Sequence, residues 1–166
     1  MNTEQNKNLN YNKIINIAFI ALAVLLTVIA LMFVWINIGQ PFKIGSVNEM
    51  KDATYENYKT KKGIKNEDNE TIYYLYIYST AYKQDDWYDD IVVEYANYAR
   101  THSTATPIYA YNYDIEGNEK ILSDLGSSTK LGTDIPGLVL IKNGNISTKY
   151  FTWTKLSNEL TSAMNK

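Results

Sequence analysis

The chain has 166 residues, a formal charge of −2, one histidine and no cysteine. That length suits one domain with an appendage, and that charge gives no broad electrostatic reason to bind nucleic acid. Without cysteine there are no disulfides, thiolate metal sites, thiol nucleophiles or CxxC redox couples, and a lone histidine leaves little from which to build a zinc site. No cofactor or metal is therefore expected. Tyrosine and asparagine are used heavily, which points to an AT-rich bacterial genome.

Residues 1–13 are a polar tail carrying Glu4, Lys7 and Lys13. Ile14 to Ile38 is apolar apart from Asn16, Thr27 and Asn37. About 20 helical residues rise roughly 30 Å, enough to cross a hydrocarbon core. Trp35 lies near the far end, where an indole suits the interface. A cleaved signal peptide would carry a shorter apolar run, about 7–15 residues, and a small-residue cleavage site. Asn37-Ile38-Gly39-Gln40 is a poor substitute for one, so 14–38 reads as an uncleaved signal anchor. Lys7, Lys13 and the amino terminus precede it, and Lys43 alone follows closely. The positive-inside rule then places the tail in the cytoplasm and 40–166 outside a bacterial cell membrane, crossed once.

Residues 39–70 read as a tether and an N-terminal helix. Ser46 predicts a helix cap over Val47 to Lys62, with Glu49 at the capping-box position, and Lys65 to Glu70 a loop. The folded domain is assigned to 71–166. Ile72–Tyr78 is a short run of β-branched and aromatic residues, the pattern of a strand covered on both faces. Asp85–Arg100 predicts a helix with Trp87, Ile91, Tyr95 and Tyr98 or Ala99 as its stripe. Thr106–Tyr113 predicts a strand opened by Pro107, and Asn118–Leu125 a short helix stopped at Gly126. Gly137–Lys142 and Asn145–Lys149 form a hairpin through Asn143-Gly144. Thr154 then caps a last helix burying Leu156, Leu160, Ala163 and Met164. Strand–helix–strand units imply parallel pairing with right-handed crossovers, and the hairpin adds antiparallel strands. The expected architecture is a three-layer α/β/α domain with a mixed central sheet.

This order resembles the thioredoxin-like superfamily. The sharpest match is Ile135-Pro136-Gly137-Leu138-Val139-Leu140-Ile141-Lys142-Asn143-Gly144, which is similar to the family's cis-proline loop, following strand and turn. The resemblance spans Ile72 to Met164 and is architectural outside that stretch. It implies a cis Ile135–Pro136 bond, and a groove beside Ile135 where the family pairs with extended peptides. Aligned on the first strand, Tyr82 and Asp85 stand at the two cysteine positions, and Tyr76 where many thioredoxins keep a buried acid. The family's redox activity is thus not expected, and a fold without its site carries no function. The chain looks like a degenerate relative of the cysteine-bearing, membrane-anchored thioredoxin-like proteins of Gram-positive bacteria, including the bacteriocin-transport accessory type.

The expected groove comprises Tyr82, Lys83, Gln84, Asp85, Ile135, Pro136 and Gly137, with strand addition as its recognition mode. The proline could equally be a purely architectural turn. The acids Asp85, Asp86, Asp89, Asp90 and Glu94 fit a solvated helix start favoured by the dipole better than a cation site. Tyr74, Tyr76 and Tyr78 share one strand face, as do Tyr109, Tyr111 and Tyr113. They suit packing beneath a helix better than stacking on cell-wall sugars. His102 reads as a helix-end cation. Ser79 and Thr80 lack a neighbouring histidine, so non-thiol chemistry around them with Tyr82 and Asp85 ranks last. The expected partner is a protein, bound without catalysis in an export, bacteriocin or conjugation apparatus. A holdase for exported chains is the second reading, and a small-molecule substrate is not expected.

Overall fold

The structure, a computed structural model, describes residues 3–39, 43–82 and 87–166, with side chains for 13, 15–32 and the latter two ranges. The chain divides into two units, Met1–Phe42 and Lys43–Lys166. The first holds helix α1 (Thr3–Gly39). Within it, Ile15–Met32 is long and apolar enough to cross a membrane. The Thr27 hydroxyl donates to the Ala23 carbonyl at 2.9 Å, so the one polar side chain of that stretch besides Asn16 is satisfied inside the helix. The expected placement of Trp35 lies outside the described side chains.

The second unit is built around β2 (Thr71–Tyr78). β3 (Ile108–Asn112) pairs with it in parallel, and β4 (Gly137–Lys142) pairs antiparallel on its other side. β5 (Asn145–Tyr150) continues from β4. Helices α2 (Trp87–Thr101) and α4 (Trp153–Met164) cover one face, where Val92, Tyr95, Leu156 and Leu160 pack on Tyr74, Tyr76 and Tyr78. The short α3 (Ile121–Leu125) covers the other, where Ile121 and Leu125 meet Tyr73, Leu75 and Ile77. This is the thioredoxin-like three-layer α/β/α arrangement with a mixed sheet, in the expected strand order. Burial on both faces explains why β2 reads as an unbroken apolar and aromatic run.

The expected tether and helix over 39–70 need correction, since the compact unit begins at Lys43. Val47–Glu49 and Tyr58–Thr60 are single 3-10 turns, and no helix spans 47–62. Ser46 and Glu49 do meet, and Glu49 accepts from the Gly45 N–H at 2.9 Å, but they close only one turn. Lys51–Ala53 runs alongside β3. The Ala53 N–H donates to the Ala110 carbonyl at 2.8 Å, and the Ala110 N–H to the Lys51 carbonyl at 3.0 Å. An otherwise bare sheet edge demands such partners. The segment's apolar residues divide accordingly: Ile44, Val47 and Met50 join the core on the α2 face, Ala53 and Tyr58 the opposite one. β1 (Ile64–Lys65) then pairs antiparallel with the start of β2.

Smaller differences share that logic. The fully buried residues of α2 are Val92, Tyr95 and Ala96, with the expected Ile91, Tyr98 and Ala99 packed beside them, while Trp87 is 61% exposed. The α4 cap is Thr152 rather than Thr154, its carbonyl accepting from the Leu156 N–H at 3.0 Å. The hairpin turn is as expected, with φ of 48° at Asn143 and 80° at Gly144. A Cβ on Gly144 would also lie 2.6 Å from the Lys59 carbonyl oxygen. Gly144→Ala therefore combines backbone strain with a steric clash, and should cost more than about 1 kcal/mol in denaturant unfolding of the full chain. An unchanged midpoint would contradict this close approach.

Candidate functional site

Parallel pairing of β2 with β3, and antiparallel pairing of β2 with β4, bring several loops to one end of the sheet. They are the loop after β2, the loop after β3, the Leu131–Pro136 turn before β4, and the β5–α4 junction. The expected site residues fall on these loops.

The loop after β2 is held by Asp114, which follows β3. The Ser79 hydroxyl donates to its Oδ1 at 2.6 Å, and both the N–H and the hydroxyl of Thr80 donate to its Oδ2 at 2.6 Å. Ser79 Oγ in turn accepts from the N–H groups of Ala81 at 3.1 Å and Tyr82 at 3.2 Å. Burial pushes the Asp114 carboxyl up, but the hydrogen bonds from Ser79, Thr80 and Ala81 together outweigh it and hold the group below the usual carboxylate range. Ser79 is thus a buried donor whose hydroxyl is committed to holding Asp114.

Tyr82 emerges from this loop 44% exposed, its ring 3.5 Å from where a Cβ on Gly132 would stand. Lys83, Gln84 and Asp85 lie outside the described residues. The Ile135–Pro136 bond is cis, and Ile135, Pro136 and Gly137 are all buried. Among the described residues of the expected groove, Tyr82 alone is exposed, while Ile135, Pro136 and Gly137 present little surface. Gly137 is closely hemmed in, since a Cβ there would run into the Asp134 carbonyl oxygen and lie 2.6 Å from the Phe151 ring. The backbone expected to pair with an added strand is also partly engaged. The Ile135 carbonyl accepts from the Gly132 N–H at 3.1 Å, and the turn is closed by Asp134 N–H to Lys130 carbonyl at 2.9 Å and Lys130 N–H to Asp134 Oδ2 at 2.7 Å.

Tyr76 is fully buried, and its hydroxyl donates to Asp89 Oδ1 at 2.8 Å. Burial first, and then the Asp89 charge, push this hydroxyl far above its ordinary value, so it stays protonated and cannot act as a base near neutral pH. Tyr74 likewise donates to Glu159 on α4. Tyr109 and Tyr111 turn inward to the carbonyls of Lys62 and Asn118, each at 2.8 Å. The tyrosine faces are core, in keeping with the packing reading. His102 closes the end of α2, its Nδ1 2.9 Å from the Tyr98 carbonyl and its ring stacked on Tyr98 at 3.9 Å. Among the described residues, no group of three or more His, Asp or Glu converges as a metal site.

Sequence reasoning missed the aromatic surface at this end. Trp87 and Trp153 meet edge to face at 6.2 Å, and Tyr88 meets Trp153 at 5.4 Å. Ile115, 47% exposed, lies in the loop after β3. The available signal was the position of Trp87 and Trp153 at the first residue of two helices that start at the same end of the sheet.

No protein-family model matches the chain, and no curated protein does. Among solved structures it is similar to thioredoxin f from spinach chloroplast (short form), at 13% identity and a TM-score of 0.35, over 57% of this chain and 77% of that one. The fold assignment rests on the strand order and not on this likeness.

Asp114→Asn removes one of two carboxylate acceptors and should lower stability at pH 7 by about 1 kcal/mol. The folded carboxyl titrates below its unfolded value of about 3.9, so its contribution is present above that value and lost as pH falls through the lower folded one. Urea unfolding should show the gap between wild type and variant closing below about pH 4. A gap that persists at pH 3 would mean that the charge of Asp114 is not what holds the loop.

Proposed function

We propose that this chain is a non-catalytic, membrane-anchored adaptor whose thioredoxin-like domain binds a protein partner outside a bacterial cytoplasmic membrane. The partner would belong to an export, bacteriocin or conjugation apparatus. The observation that carries this reading is the character of the sheet end just described. The scaffold bears no cysteine anywhere, and at the family's reactive end it presents Tyr82, Trp87 and Ile115 to solvent. Exposed aromatic side chains of limited flexibility are a common currency of protein recognition. The anchor is supported by the length and apolarity of α1. The outward orientation is supported by Lys7 and Lys13 before it against Lys43 after it.

A holdase working by strand addition would use the backbone at Ile135. Its carbonyl is already bonded to Gly132, which favours recognition through side chains and a defined partner over many unfolded clients.

Two measurements test these statements. The chain has no native cysteine, so Asp68→Cys, in the exposed β1–β2 turn, provides a unique thiol. A membrane-impermeant maleimide should label it in intact cells, and labelling only after lysis would reverse the orientation. A photo-crosslinking amino acid at Tyr82 in native membranes should give one discrete product absent from a control probe at Asp68. A smear of exported proteins would favour the holdase, and no Tyr82-specific product would remove partner binding at this end.

A further inference from the structure

We infer that the surface around Trp87 receives an arginine-bearing, extended segment of the partner, with the indole stacked on the guanidinium and Asp90 and Glu94 meeting its charge. This rests on the partner-binding reading above and specifies its chemistry.

Trp87, Asp90 and Glu94 are spaced three and four residues apart, so they share one face of α2. That face points away from the buried stripe of Val92, Tyr95 and Ala96. All three side chains are exposed, and Trp87 is the most exposed large apolar residue of the 43–166 unit. It is also braced, since Trp153 contacts it edge to face and is itself held by Tyr88. An indole fixed on one side and open on the other is the preferred platform for a cation, and arginine adds planar stacking that lysine lacks.

The local charge favours the same ligand. The described parts of the segments meeting at this end, 79–82, 87–94, 113–117, 130–137 and 150–155, carry Asp89, Asp90, Glu94, Asp114, Glu116 and Asp134 against Lys130 and Lys155. Asp89, Asp114 and Asp134 are engaged by Tyr76, by Ser79 and Thr80, and by the Lys130 N–H. Asp90 and Glu94 have no hydrogen-bond or ion-pair partner among the described residues. Two like charges one turn apart repel each other, and a bound guanidinium relieves that repulsion while donating to both.

Other occupants fit less well. The two indole planes are inclined at 68°, so they make a notch rather than the continuous platform that a sugar ring would cover. Anionic lipid is opposed by the same carboxylates that attract arginine.

The test is calorimetric titration of the full chain in zwitterionic nanodiscs with the blocked peptide Gly-Arg-Gly-Arg-Gly, and with the same peptide carrying citrulline for arginine. The arginine peptide should bind saturably, and tightening the salt from about 50 to about 300 mM should weaken it. The citrulline peptide, Trp87→Ala, and the double variant Asp90→Asn with Glu94→Gln should each bind at least about tenfold more weakly, a difference of about 1.4 kcal/mol. These substitutions are at exposed positions, so thermal midpoints near wild type would certify the fold. Equal binding of the citrulline peptide, unchanged affinity in the variants, or no saturable binding by wild type would overturn the inference. So would Trp87-dependent self-association or binding to anionic vesicles in place of the peptide. Repeating the Tyr82 crosslink in the double variant separates the two claims. A discrete product of unchanged yield leaves partner binding intact and removes the arginine contact, whereas absence of any product from wild type removes partner binding itself.

Discussion

The domain depends on one constraint: a central strand buried on both faces carries tyrosines whose hydroxyls cannot be left unpaired. A buried hydroxyl without a partner costs about 1–3 kcal/mol, so each phenol dictates where its cover must lie. Tyr73 reaches the Tyr58 carbonyl at 2.5 Å, Tyr76 reaches Asp89 on α2, Tyr78 reaches Asn48 at 3.0 Å, and Tyr74 reaches Glu159 on α4. From β3, Tyr111 reaches Asn118, whose side chain accepts from the Tyr55 N–H at 2.9 Å and donates to the Asn112 carbonyl at 2.7 Å. Among the described residues no buried side-chain polar atom lacks a partner. Aliphatic side chains would fill the same volume without specifying register. The phenols tie β2 to both helices of one layer and to both turns of the 43–60 segment.

That wiring explains why the segment between Lys43 and Lys65 belongs to the domain. Tyr58 is itself fully buried, and its hydroxyl donates to Asp124, which Lys59 also meets at 3.2 Å. The Tyr58 hydrogen bond is the largest influence holding the Asp124 carboxyl below its usual range. Ile44 is fastened in both directions to the Asn97 side chain, at 2.8 and 2.9 Å. The chain thus enters the domain already clamped to α2 and goes on to complete the sheet edge beside β3.

How much of this was legible depends on where each signal resides. The β2 run, the Asn143–Gly144 turn and the Gly126 stop are local, and were read directly from side-chain type and order, whereas the cis Ile135–Pro136 bond was expected from the resemblance alone. The Ser46–Glu49 pair is also a true local signal, but it closes one turn, because Lys51–Ala53 is claimed by the edge of β3, a partner some 60 positions away. The expected α2 stripe holds at Ile91, Tyr95, Tyr98 and Ala99, which pack on the core, but Trp87 at the helix start lies beyond it. Exposure at the expected groove was not legible for a similar reason. Ile135, Pro136 and Gly137 are local in sequence, yet their burial depends on packing such as that of Phe151 against Gly137, which no spacing rule connects to them. The acids that matter for the surface were visible as a cluster, but which were committed to internal hydrogen bonds was not.

The edge-to-face contact of Trp87 with Trp153 has an optical consequence. These are the only two indoles of the 43–166 unit, Trp35 being the third in the chain, and they sit 6.2 Å apart at a fixed inclination. Chromophores so close and so oriented couple their electronic transitions, so the indole pair adds its own contribution to the circular dichroism of the domain beside that of the buried tyrosines. The molecule thereby carries an intrinsic, label-free gauge of the geometry at the end of the sheet where α2 and α4 begin.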